Sequence, residues 1–192
     1  GLSQFFKFAV ALGFTIAVLN ASSQPTLEPE KRGDYFLLLS LSALGLMCLA
    51  SAVELVTIYL ALELSSYSLY ALIPLRGREP RAAEAGIKYI LFGAAATALS
   101  LFGLAYILAG QHSSYLSVLT GRPWTWAAAP VGIIGLTLFM AGFFYKLALF
   151  PFHFWAPDVY DGASNETAAP AATLPELGAV VILIRLAAML KP

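Results

Sequence analysis

The stretch Tyr35–Leu75 constrains this chain more than any other. It is apolar-rich throughout and about twice as long as one membrane crossing. A helix rising ~1.5 Å per residue needs roughly 20 residues to traverse a ~30 Å hydrocarbon layer. Lipid offers no hydrogen bonds to backbone N–H and C=O groups, so such a stretch must be helical and must turn back. Ser51–Glu54 is the natural dividing point, giving spans over 35–51 and 54–75.

Composition fits the same picture. Only 11% of the 192 residues are charged and 59% are hydrophobic, with a mean hydropathy of +0.78; soluble domains carry about 25% charge. The expected fold class is therefore all-α integral membrane, with about six crossings. A first span over Phe5–Ala21 carries Lys7 and follows no basic segment, which favours a span over a cleaved signal. After the polar loop Ser22–Asp34 and the two spans above come a loop at Arg76–Ala85 and a Gly/Ala-rich span over 86–110 suited to close packing. Gln111–Trp126 is read as a loop, followed by spans over 127–150 and 167–190. Pro151 interrupts the fifth span, and Pro170 and Pro175 disturb the sixth. Residues 1–34 thus form a first helix and loop, and 35–192 a five-helix unit. The 11 basic and 11 acidic residues cancel, without a basic patch for nucleic acid, and the single Cys48 permits no internal disulfide. No initiator Met is present, which fits a processed chain or part of a longer one.

With six crossings, Lys31, Arg32, Arg76, Arg78 and Arg81 fall on one side, and Arg122 and Lys191 on the other. The side richer in Lys and Arg is expected to face the cytoplasm or matrix. His153–Asp161 falls on that inner side. Asn20 and Asn165 begin Asn-x-Ser/Thr matches near inner span ends, so neither is expected to carry glycan.

Glu63 lies inside the apolar run Ile58–Leu64, and Lys146 inside Phe143–Leu149. On the lenient insertion scale, an ionised side chain at mid-bilayer costs roughly 2.5–3.5 kcal/mol, so it generally faces a protein interior or a water path. Glu63 is either a packed structural carboxyl or one half of a charge pair; Ser65, Ser66, Tyr67 and Tyr70 supply hydroxyls on its helix. Lys146 lies five residues before Pro151, which frees a helical carbonyl. It either snorkels to an interface or sits beside a broken helix of the kind that lines a cavity. Burial disfavours an ammonium and a nearby carboxylate restores it, so moving the carboxylate away would expel the proton. Glu84 and Lys88 make an i, i+4 pair whose default reading is solvated, and Glu54 near a span end reads likewise. Alone, His153 reads as an interfacial histidine. Metal-ligand spacings, phosphate-binding glycine loops and catalytic triads are not found in the sequence.

Three segments carry a resemblance. Leu60–Leu64, Glu84–Tyr89 and, above all, the long run Lys146–Gly162 (KLALFPFHFWAPDVYDG) resemble the antiporter-like membrane subunits of respiratory complex I, with an Ala-Pro-Asp-Val-Tyr ending like that of the subunit N branch. The likeness covers nearly all of Tyr35–Arg185. It implies a proton-pumping NADH:quinone oxidoreductase subunit, built from two inverted five-helix repeats with a broken helix in each. This chain would hold one preceding helix and the first repeat, its fifth span being the broken one. Proton translocation would involve Glu63 paired with Lys146, together with Lys88 and His153. Where the family carries a lysine on the sixth span this chain has Glu176, and Ser164–Thr173 departs from the family pattern, which places the link towards the centre in question. The resemblance further implies no cofactor in this chain, with NADH, FMN, iron–sulfur clusters and quinone in partner subunits. The implied partners are lipid, other membrane-arm subunits and a second chain or segment carrying the other repeat, in a mitochondrial inner or bacterial plasma membrane. Two rival readings stand beside it: a subunit of a cation/proton antiporter or membrane-bound hydrogenase, and a structural element of the membrane arm that does not pump.

Overall fold

The computed structural model describes residues 1–22, 28–75 and 80–190. Arg76, Arg78 and Lys191, used in the reading of sidedness, lie outside the described residues, as does part of the loop Ser22–Asp34. The helices are α1 (Leu2–Ser22), α2 (Arg32–Ser51), α3 (Leu55–Leu72), α4 (Pro80–Gln111), the single turn α5 (Leu116–Leu119), α6 (Pro130–Lys146), α7 (Trp155–Gly162) and α8 (Asn165–Met189). Five of them, α1 to α4 and α8, are long and apolar enough to cross a membrane, and α6 is a shorter apolar helix.

The long apolar stretch does turn back between α2 and α3. Ala52 is extended, its N–H reaching Leu49 O, and Glu54 is extended ahead of α3. Glu54 is not simply solvated: Ser114 donates to its carboxylate, and Leu55 N–H bonds Ser114 O at 2.8 Å. The α2–α3 turn is thereby tied to the segment that follows α4.

Two spans differ from the sequence reading. The loop expected over 76–85 gives way to helix from Pro80, because proline at the first helical position costs no hydrogen bond and presets φ. The span expected over 127–150 is shorter, α6 covering 130–146, and a second helical piece follows outside it. Pro151 lacks an N–H and its ring excludes the carbonyl four residues back, at Leu147, so α6 ends at Lys146. Ala148, at φ 48°, turns the chain out of the helix, and α7 resumes at Trp155. His153–Asp161, expected beyond the inner membrane face, therefore includes most of a second half-helix whose Trp155 and Val159 are buried.

α4 packs most extensively on α6, and α2 on α3. The α4–α6 crossing is glycine on glycine. A Cβ on Gly135 would lie 2.7 Å from Ile107 N and 2.8 Å from Gly103 O, so the two backbones touch. Ser100 of α4 also enters the α6 ladder, accepting from Gly142 N at 2.8 Å and donating to Phe139 O at 3.0 Å. Further along α4, Gly162 of α7 closes against Ala85 and the Arg81 carbonyl. α6 and α7 thus follow one another along α4, one broken helix in two offset halves. α8 crosses α2 at Gly178, against Leu46 and Leu49.

Candidate proton-transfer site

α3, α4 and α6 enclose Glu63 and Lys146. Both residues are buried: Lys146 is 3% exposed and Glu63 8%. On α3, Glu63 and Tyr70 are seven residues apart, two turns and so one face, separated by a rise of about 10 Å. On α4, Thr97 and Tyr89 are eight residues apart on a matching face. The two helices therefore build two levels.

At the first level, Thr97 donates to Glu63 Oε1 at 2.9 Å, while Oε2 meets no hydrogen-bond geometry among the described residues. At the second, the Lys146 Nζ has no hydrogen-bonding partner among the described residues and lies over three tyrosine rings, 5.2 Å from the centroid of Tyr70 and 5.4 Å from those of Tyr89 and Tyr145. The charge of Glu63 acts on Lys146 through space, but no hydrogen bond joins the two. The Lys146 amine lies over ring faces, with the carboxylate a level away.

The rings are themselves fixed. Tyr145 OH donates to the Tyr89 carbonyl at 2.8 Å, and Trp155 of α7 donates its indole N–H to the Tyr145 carbonyl at 3.0 Å. Tyr89 stacks on Trp155 at 4.6 Å and meets Tyr70 edge-on at 4.6 Å. Gly93 makes room for the Tyr70 hydroxyl, which a Cβ there would overlap. Because Trp155 bonds the last turn of α6 and stacks on α4, the second half of the broken helix forms one wall of the lysine site.

The other residues singled out from sequence lie elsewhere. Lys88 is outside the cage, ion-paired to Glu84 at 2.8 Å and to Asp158 of α7 at 2.9 Å, beside a polar cavity of about 150 Å³ that Arg81 and Asp161 also line. The solvated pair read from sequence is thus a three-residue bridge between α4 and α7. His153 lies in the break, its ring 4.3 Å from Phe154 and 5.9 Å from Phe150, with Nδ1 buried and unpartnered. Glu176 lines a separate groove of about 480 Å³ between α1 and α8, with Phe5, Phe6 and Leu177. Its charge reaches Tyr160, whose ring meets Trp155 at 5.7 Å. Sequence reasoning missed Thr97, Tyr89, Tyr145 and Trp155 as site residues. The available signal was three tyrosines and a threonine at helical spacing within otherwise apolar spans. Among the described residues no group of His, Cys, Asp and Glu has the geometry to hold a metal ion.

Residues 52–192 match the family described as NADH:quinone oxidoreductase/Mrp antiporter, TM. NADH-quinone oxidoreductase subunit N 2 of Solidesulfovibrio magneticus is 67% identical over 192 residues, covering 100% of this chain and 41% of that protein. F(420)H(2) dehydrogenase subunit N of Methanosarcina mazei is 34% identical over 168 residues, covering 88% of this chain and 34% of that protein. Among solved structures, a chain of respiratory complex I from Thermus thermophilus with bound aureothin superposes with a TM-score of 0.82 at 35% identity, covering 96% of this chain and 40% of that one. The chain spans about two fifths of the length of these relatives. With its helical architecture, broken helix and family match, this multi-pass membrane chain belongs to the NADH:quinone oxidoreductase/Mrp antiporter family.

Proposed function

We propose that this chain contributes a proton half-channel to the membrane arm of a complex I-type quinone oxidoreductase, moving protons while electron transfer proceeds in other subunits. The observation that carries the reading is Lys146: a fully enclosed ammonium with no hydrogen-bonding partner, within electrostatic reach of one buried carboxylate. Such a group is held at the edge of what the interior tolerates, and a modest change in its surroundings releases its proton. Thr97 orients Glu63 and leaves one carboxylate oxygen available to a proton. Lys146 accepts and passes on the proton as the field from Glu63 rises and falls. The relative from Methanosarcina mazei is named for F(420)H(2) rather than NADH, so the reading assigns no electron donor or cofactor to this chain. The outward faces of α1 and α4 are rich in Phe, Leu and Ile, including Phe5, Phe8, Leu12, Ile87 and Phe102. They suit lipid, neighbouring membrane-arm subunits and a second helical repeat, in the same polypeptide or another, within an energy-transducing membrane.

The test is the proton-to-electron ratio of the complete complex in proteoliposomes. Glu63→Gln and Lys146→Ala should each lower it several-fold with assembly retained. An unchanged ratio in both variants would overturn translocation here in favour of a structural role.

A further inference from the structure

We propose that the ring faces of Tyr70, Tyr89 and Tyr145 hold the charge on Lys146 alongside the more distant field of Glu63, and that these tyrosines are positioning residues for its proton transfer. The inference rests on the proton-translocation reading above and goes beyond it in naming what balances the ammonium.

An ammonium removed from water needs compensation from its neighbours. Around the Lys146 Nζ no oxygen or nitrogen supplies it through a hydrogen bond, whereas three electron-rich ring faces lie within 5.2–5.4 Å of it. That is inside the ~6 Å range over which a ring quadrupole attracts a cation, and the attraction grows as water is excluded. The hydroxyls are not what the site presents to the lysine. Tyr145 OH is spent on the Tyr89 carbonyl, and Tyr89 OH, though buried, bonds to nothing. The rings come from three helices: Tyr70 from α3, Tyr89 from α4 and Tyr145 from α6 itself. Tyr70 shares its helix face with Glu63, so one movement of α3 would change both the ring contact and the carboxylate distance together.

Tyr70 is the residue to probe, being nearest to the Nζ and making no backbone hydrogen bond like that of Tyr145. In the complete complex it is replaced by Phe, by Leu, and by Phe carrying one, two or three ring fluorines, which drain the ring face while keeping its shape. Proton translocation is read in proteoliposomes, and assembly by subunit yield. Tyr70→Phe should exceed Tyr70→Leu several-fold. Within the fluorinated series each added fluorine should lower the rate by about two-fold, as expected for a desolvated cation–π contact, and the series should be flat in a Lys146→Ala background. A flat series with Lys146 present, or Phe no better than Leu, overturns the cage. If Lys146→Ala translocates normally, the functional reading itself fails, an outcome separable from the first.

Discussion

Thr97 of α4 donates its hydroxyl to Glu63 of α3 across the bundle at 2.9 Å. It fixes which oxygen of Glu63 is engaged and which is open. Thr97→Val keeps the shape and removes the donor, leaving a buried acceptor unsatisfied at a cost of about 1–3 kcal/mol. The expected outcome is a translocation rate reduced several-fold in proteoliposomes, with Thr97→Ser restoring most of it. A normal rate in Thr97→Val would mean that Glu63 does not depend on this bond.

Gly103 and Gly135 set the closest approach of α4 and α6. Adding a methyl group at Gly135 pushes Cβ into the Ile107 amide and the Gly103 carbonyl, backbone atoms that cannot step aside. Gly135→Ala should destabilise the fold by at least the roughly 1–3 kcal/mol typical of overpacking. Thermal melting of the detergent-solubilised complex would report it, and Gly33→Ala, with open space around its Cβ, is the matched control.

Arg185 of α8 donates to the carbonyls of Ala50 and Ala52, which the end of α2 leaves without helical partners. Ser3 of α1 also donates to Ala50 O, at 2.7 Å. Replacing Arg185 with Met retains the apolar stem and leaves the Ala52 carbonyl without its donor, while Ala50 O keeps Ser3, so a loss of about 1–3 kcal/mol is expected. Limited proteolysis at the α2–α3 turn should become several-fold faster.

Asp158→Asn removes one of the two ion pairs of Lys88. Both side chains are substantially exposed, at 36% and 49%, so water and salt screen the pair. Thermal stability should therefore change little. A loss of translocation without loss of stability would instead place the Lys88 bridge on the proton route.

The sequence was legible where covalent geometry or lipid leaves few choices. The Ala52–Glu54 turn follows from the length of one apolar run, and the end of α6 follows from Pro151. The intramembrane positions of Glu63 and Lys146 followed from the runs around them. The start of α4 was obscured because Arg81 and Glu84 look like loop residues, although proline at the first helical position tolerates helix. The lysine cage was not legible, since its rings come from three helices and tyrosine at helical spacing reads as ordinary packing. Nor could periodicity show that Ser114 would meet Glu54, because that contact depends on where a loop returns.

The glycine contact between α4 and α6 has a mechanical consequence. With backbone against backbone and Ser100 stitched into the neighbouring ladder, these two helices form a stator that carries Lys146 at its end. Motion that separates Lys146 from Glu63 is then expected from α3, which carries the carboxylate, while α7 stays anchored to the stator through Trp155 and the Lys88 bridge. α3 is the helix against which cross-links should be placed.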